Sequence, residues 1–145
     1  MRVSSFGQWI LRLSCCGALS LAAANSLTAN PAAEEFFESR IRPLLIEHCY
    51  ECHSAEHRKA KGGLLLDSRE GWRKGGEGGP VIVPGDPDHS RLIQAVRYLD
   101  KDLRMPPKEP LSREQIESLV AWVEQGAPDP RTGAAVPLPS TPDDV

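Results

Sequence analysis

The chain has 145 residues, 26% of them charged and 40% hydrophobic, which suits a single globular domain with an ordinary core. Seventeen basic side chains against 20 acidic ones give a formal net charge of −3, which argues against a nucleic-acid partner and its need for a strongly basic surface. The four cysteines are not scattered as a disulfide framework would have them: Cys15 and Cys16 sit in the N-terminal segment, Cys49 and Cys52 three apart in the body of the chain.

Arg2 and Arg12 precede a run of small and apolar residues from Leu13 to Ala24, and Ala22-Ala23-Ala24 offers a small-residue cleavage site, with Ala29 a second one. Residues 1–24 therefore read as a signal peptide. The run is interrupted by Ser14 and Gly17 and falls short of the roughly 20 residues that a membrane helix needs. Left uncleaved, it would anchor the protein to the membrane instead. Cleavage after Ala24 removes two arginines, leaving 15 basic against 20 acidic residues and a formal charge of −5. The expected location is periplasmic or secreted.

Asn30-Pro31 supplies a helix cap followed by proline in the first turn. Phe36, Phe37, Ile41, Leu44 and Leu45 then recur at helical spacing and form a core stripe. Pro43 falls inside it and predicts either a kink or two short helices, the second running into Cys49.

Cys49-Tyr50-Glu51-Cys52-His53 is a Cys-x-x-Cys-His run, the attachment pattern of a c-type haem in an exported protein. Two cysteines about one helical turn apart can bond both vinyl groups on one haem edge, and the histidine that follows faces the iron as its proximal ligand. A zinc site would need a second Cys/His pair, which the sequence lacks although His48 and His57 flank the motif. A thioredoxin-like pair would need a preceding strand, and a Cys49–Cys52 disulfide would close too small a loop to stabilise much.

Gly62-Gly63 turns the chain into Leu64-Leu65-Leu66, predicted to contact core or haem. Gly75-Gly76-Glu77-Gly78-Gly79-Pro80 lacks the Lys-Ser/Thr of a phosphate-binding loop and reads as a flexible connection. Pro84-Gly85-Asp86-Pro87 is turn chemistry. Leu92, Ile93 and Val96 mark a short helix capped near Asp88 or Ser90. Ser112-Arg113-Glu114-Gln115 is a capping box opening a helix whose apolar face holds Ile116, Leu119, Val120 and Val123 and which stops at Gly126. Residues 129–145, rich in proline and small or polar side chains, read as a disordered tail.

With Met1 removed in the signal peptide, Met105 is the one methionine left, on a segment stiffened by Pro106-Pro107. A thioether there suits the second axial position, favouring Fe(II) and raising the potential. His89 is the weaker candidate, a histidine beside a helix start. Trp72 and Trp122 read as packing residues. Arg58, Lys59, Lys61, Arg69, Arg73 and Lys74 form a basic cluster opposed to Glu34, Glu35 and Glu38, a solvated face able to steer a redox partner.

From Phe36 to Pro128 the chain resembles the planctomycete-type cytochrome c domain. The resemblance rests on Ile41-Arg42-Pro43-Leu44, Cys49 to His53, Gly63-Leu64 through Asp67-Ser68, Gly75-Gly76 with Gly79-Pro80, Pro84-Gly85-Asp86-Pro87 with Ser90, Met105-Pro106-Pro107, Ala121-Trp122 and Gly126-Ala127-Pro128. It implies an all-α fold over residues 30–128: a small cytochrome c-like helical domain wrapped around one covalent haem c, with long Gly/Pro-rich loops. It implies Cys49 and Cys52 as attachments, and His53 and Met105 as ligands of the iron. Such domains commonly stand at the front of larger proteins, so this one is expected to act as a free-standing carrier or beside companion domains encoded elsewhere.

The function expected is one-electron transfer through a His/Met-ligated haem iron, to and from a redox partner protein or a membrane electron-transfer chain. The alternative is a peroxidase-like catalyst or a haem-based sensor or interaction module, either of which needs a sixth site that can be vacated.

Overall fold

The computed structural model describes residues 30–132. The expected signal peptide and the tail beyond residue 132 lie outside that range. The described part is helix-rich, with one two-stranded hairpin where an all-α fold is expected.

The first helical stretch is continuous from Pro31 to His48. It opens as α1 (Pro31–Phe36), where the Asn30 side chain accepts from the Ala32 amide at 3.2 Å and Pro31 fills the first turn. A π-turn (Phe37–Ile41) follows, in which the Arg42 amide reaches back five residues to the Phe37 carbonyl. It leads into α2 (Arg42–His48), with Pro43 in its first turn. Pro43 brings no amide for the ordinary i−4 bond, and the wider turn ahead of it takes up the mismatch. Ala33, Phe37, Ile41, Leu44 and Leu45 are buried, so the irregular helix still keeps one apolar face.

After the Cys-x-x-Cys-His turn, β1 (His53–Ser54) pairs antiparallel with β2 (Lys59–Ala60), His53 opposite Ala60. On the other side of β1 runs an extended segment, the Leu66 amide donating to the His53 carbonyl at 2.8 Å. Between β2 and that extended segment a tight turn spans Lys61–Gly63. The glycine-rich segment read as a flexible connection is a closed turn. Gly76 and Gly79 exchange two backbone hydrogen bonds, and the Glu77 amide donates to the Gly62 carbonyl at 2.7 Å. A Cβ on Gly75 would stand 2.3 Å from the Gly79 carbonyl oxygen, and one on Gly76 2.5 Å from that of Gly62, so the backbones approach as only glycine allows.

A helix absent from the sequence reading, α3 (Arg69–Lys74), is capped by the Ser68 hydroxyl accepting from the Gly71 amide. It places Trp72, 2% exposed, in the core. In α4 (Arg91–Val96) the expected cap residue Ser90 does something else. Its hydroxyl accepts from the Val83 amide at 2.8 Å and donates to the Asp86 carbonyl at 2.8 Å, tying the Pro84–Pro87 turn to the helix start. The last helix, α5 (Arg113–Glu124), carries the expected capping box in full, Ser112 and Gln115 bonding each other's backbone amides.

The core lies where the first and last helical stretches cross. Trp122 is fully buried, its ring 5.8 Å from Phe37 and 5.9 Å from Trp72, the latter edge-on. Leu119 and Val123 fill the same face, with Ile41, Leu45 and Ile93 opposite. Ile116 and Val120, expected on that face, sit at its margin.

Pro128 to Arg131 do not behave as a disordered tail. The Trp122 indole donates to the Pro128 carbonyl at 2.8 Å, Asp129 is 6% exposed, and Arg131 reaches back into the core margin. Leu119→Ala should lower stability by about 2–5 kcal/mol, as a cavity at a fully buried site demands. Ser112→Ala should cost only about 1 kcal/mol, the value of one helix cap. Urea unfolding of both variants checks that order.

Candidate functional site

The turn from Cys49 to His53 is built by the end of α2. Cys49 closes that helix with its amide on the Leu45 carbonyl at 2.9 Å, and its own carbonyl then accepts from the amides of Cys52 (3.1 Å) and His53 (3.0 Å). Both thiols are free and half-buried. Cys49 packs against the margin of the core, and burial pushes its thiol up to about 12, so it stands as the neutral SH.

His53 is half-buried in β1. Its Nδ1 lies 3.3 Å from the Leu64 carbonyl oxygen, and because a carbonyl can only accept, Nδ1 is the nitrogen that donates there. Burial holds the imidazole below its ordinary pKa, the Lys61 charge adds to it, and the backbone carbonyls of Leu64 and Lys61 oppose it without reversing it. A neutral ring with one nitrogen engaged by a carbonyl is what a metal-ligating histidine needs. The backbone on both sides is fixed: the Cys52 carbonyl accepts from Lys61, and the His53 carbonyl from Leu66. Two thiols and a neutral imidazole within five residues are a donor set that fits a covalently held haem.

Met105 is placed apart from these three. It follows α4, with its amide on the Ala95 carbonyl at 3.2 Å and a cis bond to Pro106. It is 36% exposed and stands outside the core cluster. Tyr98 braces the segment: its hydroxyl donates to the Pro106 carbonyl, and the Arg104 guanidinium lies over its ring. An open depression of about 560 Å³ lies on α5, floored by Leu111, Ile116 and Val120 and rimmed by Arg97, Arg113 and Glu117. None of Cys49, Cys52, His53 and Met105 lines it.

The other histidines are engaged elsewhere. His48 Nε2 is 2.9 Å from the Gln115 side-chain nitrogen, His57 Nδ1 is 2.9 Å from the Ser54 hydroxyl, and exposed His89 pairs with Asp86 at 2.7 Å. Among the described residues no three His, Cys, Asp or Glu side chains converge as a separate metal site would require. Of the basic cluster, Arg58, Lys59, Lys61, Arg73 and Lys74 are exposed, while Arg69 turns inward to the Asp129 carbonyl. No helix among the described residues is long and apolar enough to cross a membrane.

Two residues at this site were not legible from the sequence, Asp129 and Arg131. Arg131 donates to the Tyr50 hydroxyl at 2.6 Å, inside the Cys-x-x-Cys-His turn itself, and to the Leu66 carbonyl at 3.0 Å. The signal was the alternation of Asp129 and Arg131 with prolines in a segment whose composition otherwise suggests disorder.

Residues 49–109 match the family model described as planctomycete cytochrome C. Neither the curated proteins nor the solved structures yield a match. The match opens on Cys49, takes in Cys52, His53 and Met105, and spans the hairpin, α3 and α4 that surround them. Cytochromes c are covalent haem-iron proteins that exchange electrons with redox partners. The free thiol pair, the oriented imidazole and the matched residues agree, and the chain carries a planctomycete-type cytochrome c domain.

Proposed function

We propose that the protein is an exported monohaem cytochrome c that carries one electron at a time between redox partners. Residues 1–24 direct export, and residues 30–128 form the haem-carrying domain. Cys49 and Cys52 are the attachment residues. Each thiol would hold the group through one thioether, a link formed by simple addition that consumes no oxidant. His53, through Nε2, and Met105, through its sulfur, would hold the iron. When bound, the haem supplies an iron that alternates between Fe(III) and Fe(II).

The observation that carries this reading is the His53 ring, half-buried, neutral, and tied through Nδ1 to Leu64 one residue after a free thiol pair. A second observation agrees with it. Ile46, one turn before Cys49, and Leu99 and Met105, on the segment after α4, are large apolar side chains left in the open, at 53%, 69% and 36% exposure. A macrocycle held at Cys49 and Cys52 gives such side chains an apolar surface to meet. The partner is a redox protein or a membrane electron-transfer chain, and the exposed basic residues near the hairpin offer a steering field for an acidic one.

An optical redox titration of the protein matured in a host with c-type haem machinery tests the reading. The expected result is one reversible one-electron step, with the weak Met–iron charge-transfer band in the oxidised form. A protein purified without covalent haem would refute it. Met105→Ala should lower the potential and open the iron to added imidazole or cyanide, and an unchanged potential would remove Met105 as ligand. His53→Ala should abolish the low-spin spectrum and weaken the fold, which absorbance and circular dichroism follow together.

A further inference from the structure

The match to the family ends at residue 109, yet the contacts that grip the haem-attachment turn continue to residue 131. The Asp129 side chain is fully buried and that of Arg131 10% exposed, and they form an ion pair at 2.6 Å. Asp129 also accepts from the Trp72 indole at 2.9 Å, which fixes the carboxylate against the core. The Arg131 guanidinium carbon lies 4.9 Å from the centre of the Phe37 ring. With Nε and one terminal nitrogen held by Asp129, the other terminal nitrogen, Nη1, bridges the Tyr50 hydroxyl and the Leu66 carbonyl.

Those two acceptors flank His53 from both sides. Tyr50 lies three residues before it, between the two cysteines. Leu66 donates its amide to the His53 carbonyl, and the same extended segment supplies the Leu64 carbonyl that faces Nδ1. One planar guanidinium therefore sets the spacing between the attachment turn and the segment that orients the imidazole, a task a lysine's single nitrogen cannot copy while paired to Asp129.

We propose that Asp129 and Arg131 form a latch that positions the axial histidine, Arg131 acting through Tyr50 and Leu66 on the orientation of the His53 ring. The inference rests on His53 being the iron ligand. Its test therefore starts from haem-loaded wild-type protein showing a low-spin spectrum: absence of that spectrum would overturn the functional reading and the latch with it, whereas a low-spin wild type with unmoved variants would overturn the latch alone.

The experiment compares haem-loaded wild type, Arg131→Lys, Arg131→Met and Tyr50→Phe by proton NMR of the oxidised protein. The haem methyl shifts read the orientation of the axial ring, and exchange of the His53 Nδ1 proton reads its bond to Leu64. Loss of one ordinary hydrogen bond from the latch should speed that exchange roughly five- to tenfold. Arg131→Met and Tyr50→Phe should both reorder the methyl shifts and move the midpoint potential, with Arg131→Lys intermediate. Should Arg131→Met fail to fold, Tyr50→Phe and Arg131→Lys decide alone, since both keep the Asp129 charge compensated. Variants that unfold at lower urea yet keep the wild-type methyl pattern, exchange rate and potential would overturn the proposal and leave Arg131 a purely structural residue.

Discussion

The burial of one indole is the constraint on which the rest of the structure depends. Trp122 is met by Phe37 from the first helical stretch, by Trp72 from α3, and by the Pro128 carbonyl from the segment after α5. Each of these leads directly to the Cys-x-x-Cys-His turn. The first stretch ends in Cys49, α3 follows the extended segment that holds His53, and the residues after Pro128 reach Tyr50. A side chain that touches none of the chemistry thus fixes three separate supports of the site. Dense packing transmits position in this way because a core has few voids into which a displacement could relax.

The hydrogen bond between His53 and Leu64 shows how little local structure the site itself contains. His53 is in a strand of two residues, too short to hold its own direction, and is flanked by β2 on one side and an irregular segment on the other. The turn that leads into that segment is held by backbones in close approach, the Glu77 amide on the Gly62 carbonyl beside the paired Gly76 and Gly79. Rigidity here comes from backbone carbonyls and amides that close on one another, with few side chains involved.

What was legible in the sequence is what short-range chemistry decides. The capping box at Ser112, the Asn30-Pro31 start and the apolar spacing of α4 each need only a few neighbouring residues, and each appears where it was read. The Cys49–His53 motif is also local. Features that escaped depend on distant partners or on runs too short to show a period. The hairpin pairs two residues with two, and α3 has barely more than one turn, although Ser68 was a readable cap. Pro43 announced a disturbance without saying that a wide turn ahead of it would absorb it. The glycine segment looked mobile because its partner, Gly62, lies far back in the sequence. Asp129 and Arg131 looked disordered because composition cannot see Trp72, Tyr50 and Leu66.

The bond from Arg131 to Tyr50 joins residues 81 apart, and that from Asp129 to Trp72 residues 57 apart. Closing loops of that length costs chain entropy before any contact repays it. The helical stretches and the hairpin need only nearby residues, whereas the contacts of Arg131 on the Cys-x-x-Cys-His turn need nearly the whole described chain in place. The turn that carries Cys49 to His53 is thus held by long-range contacts, and its order depends on both ends of the described chain.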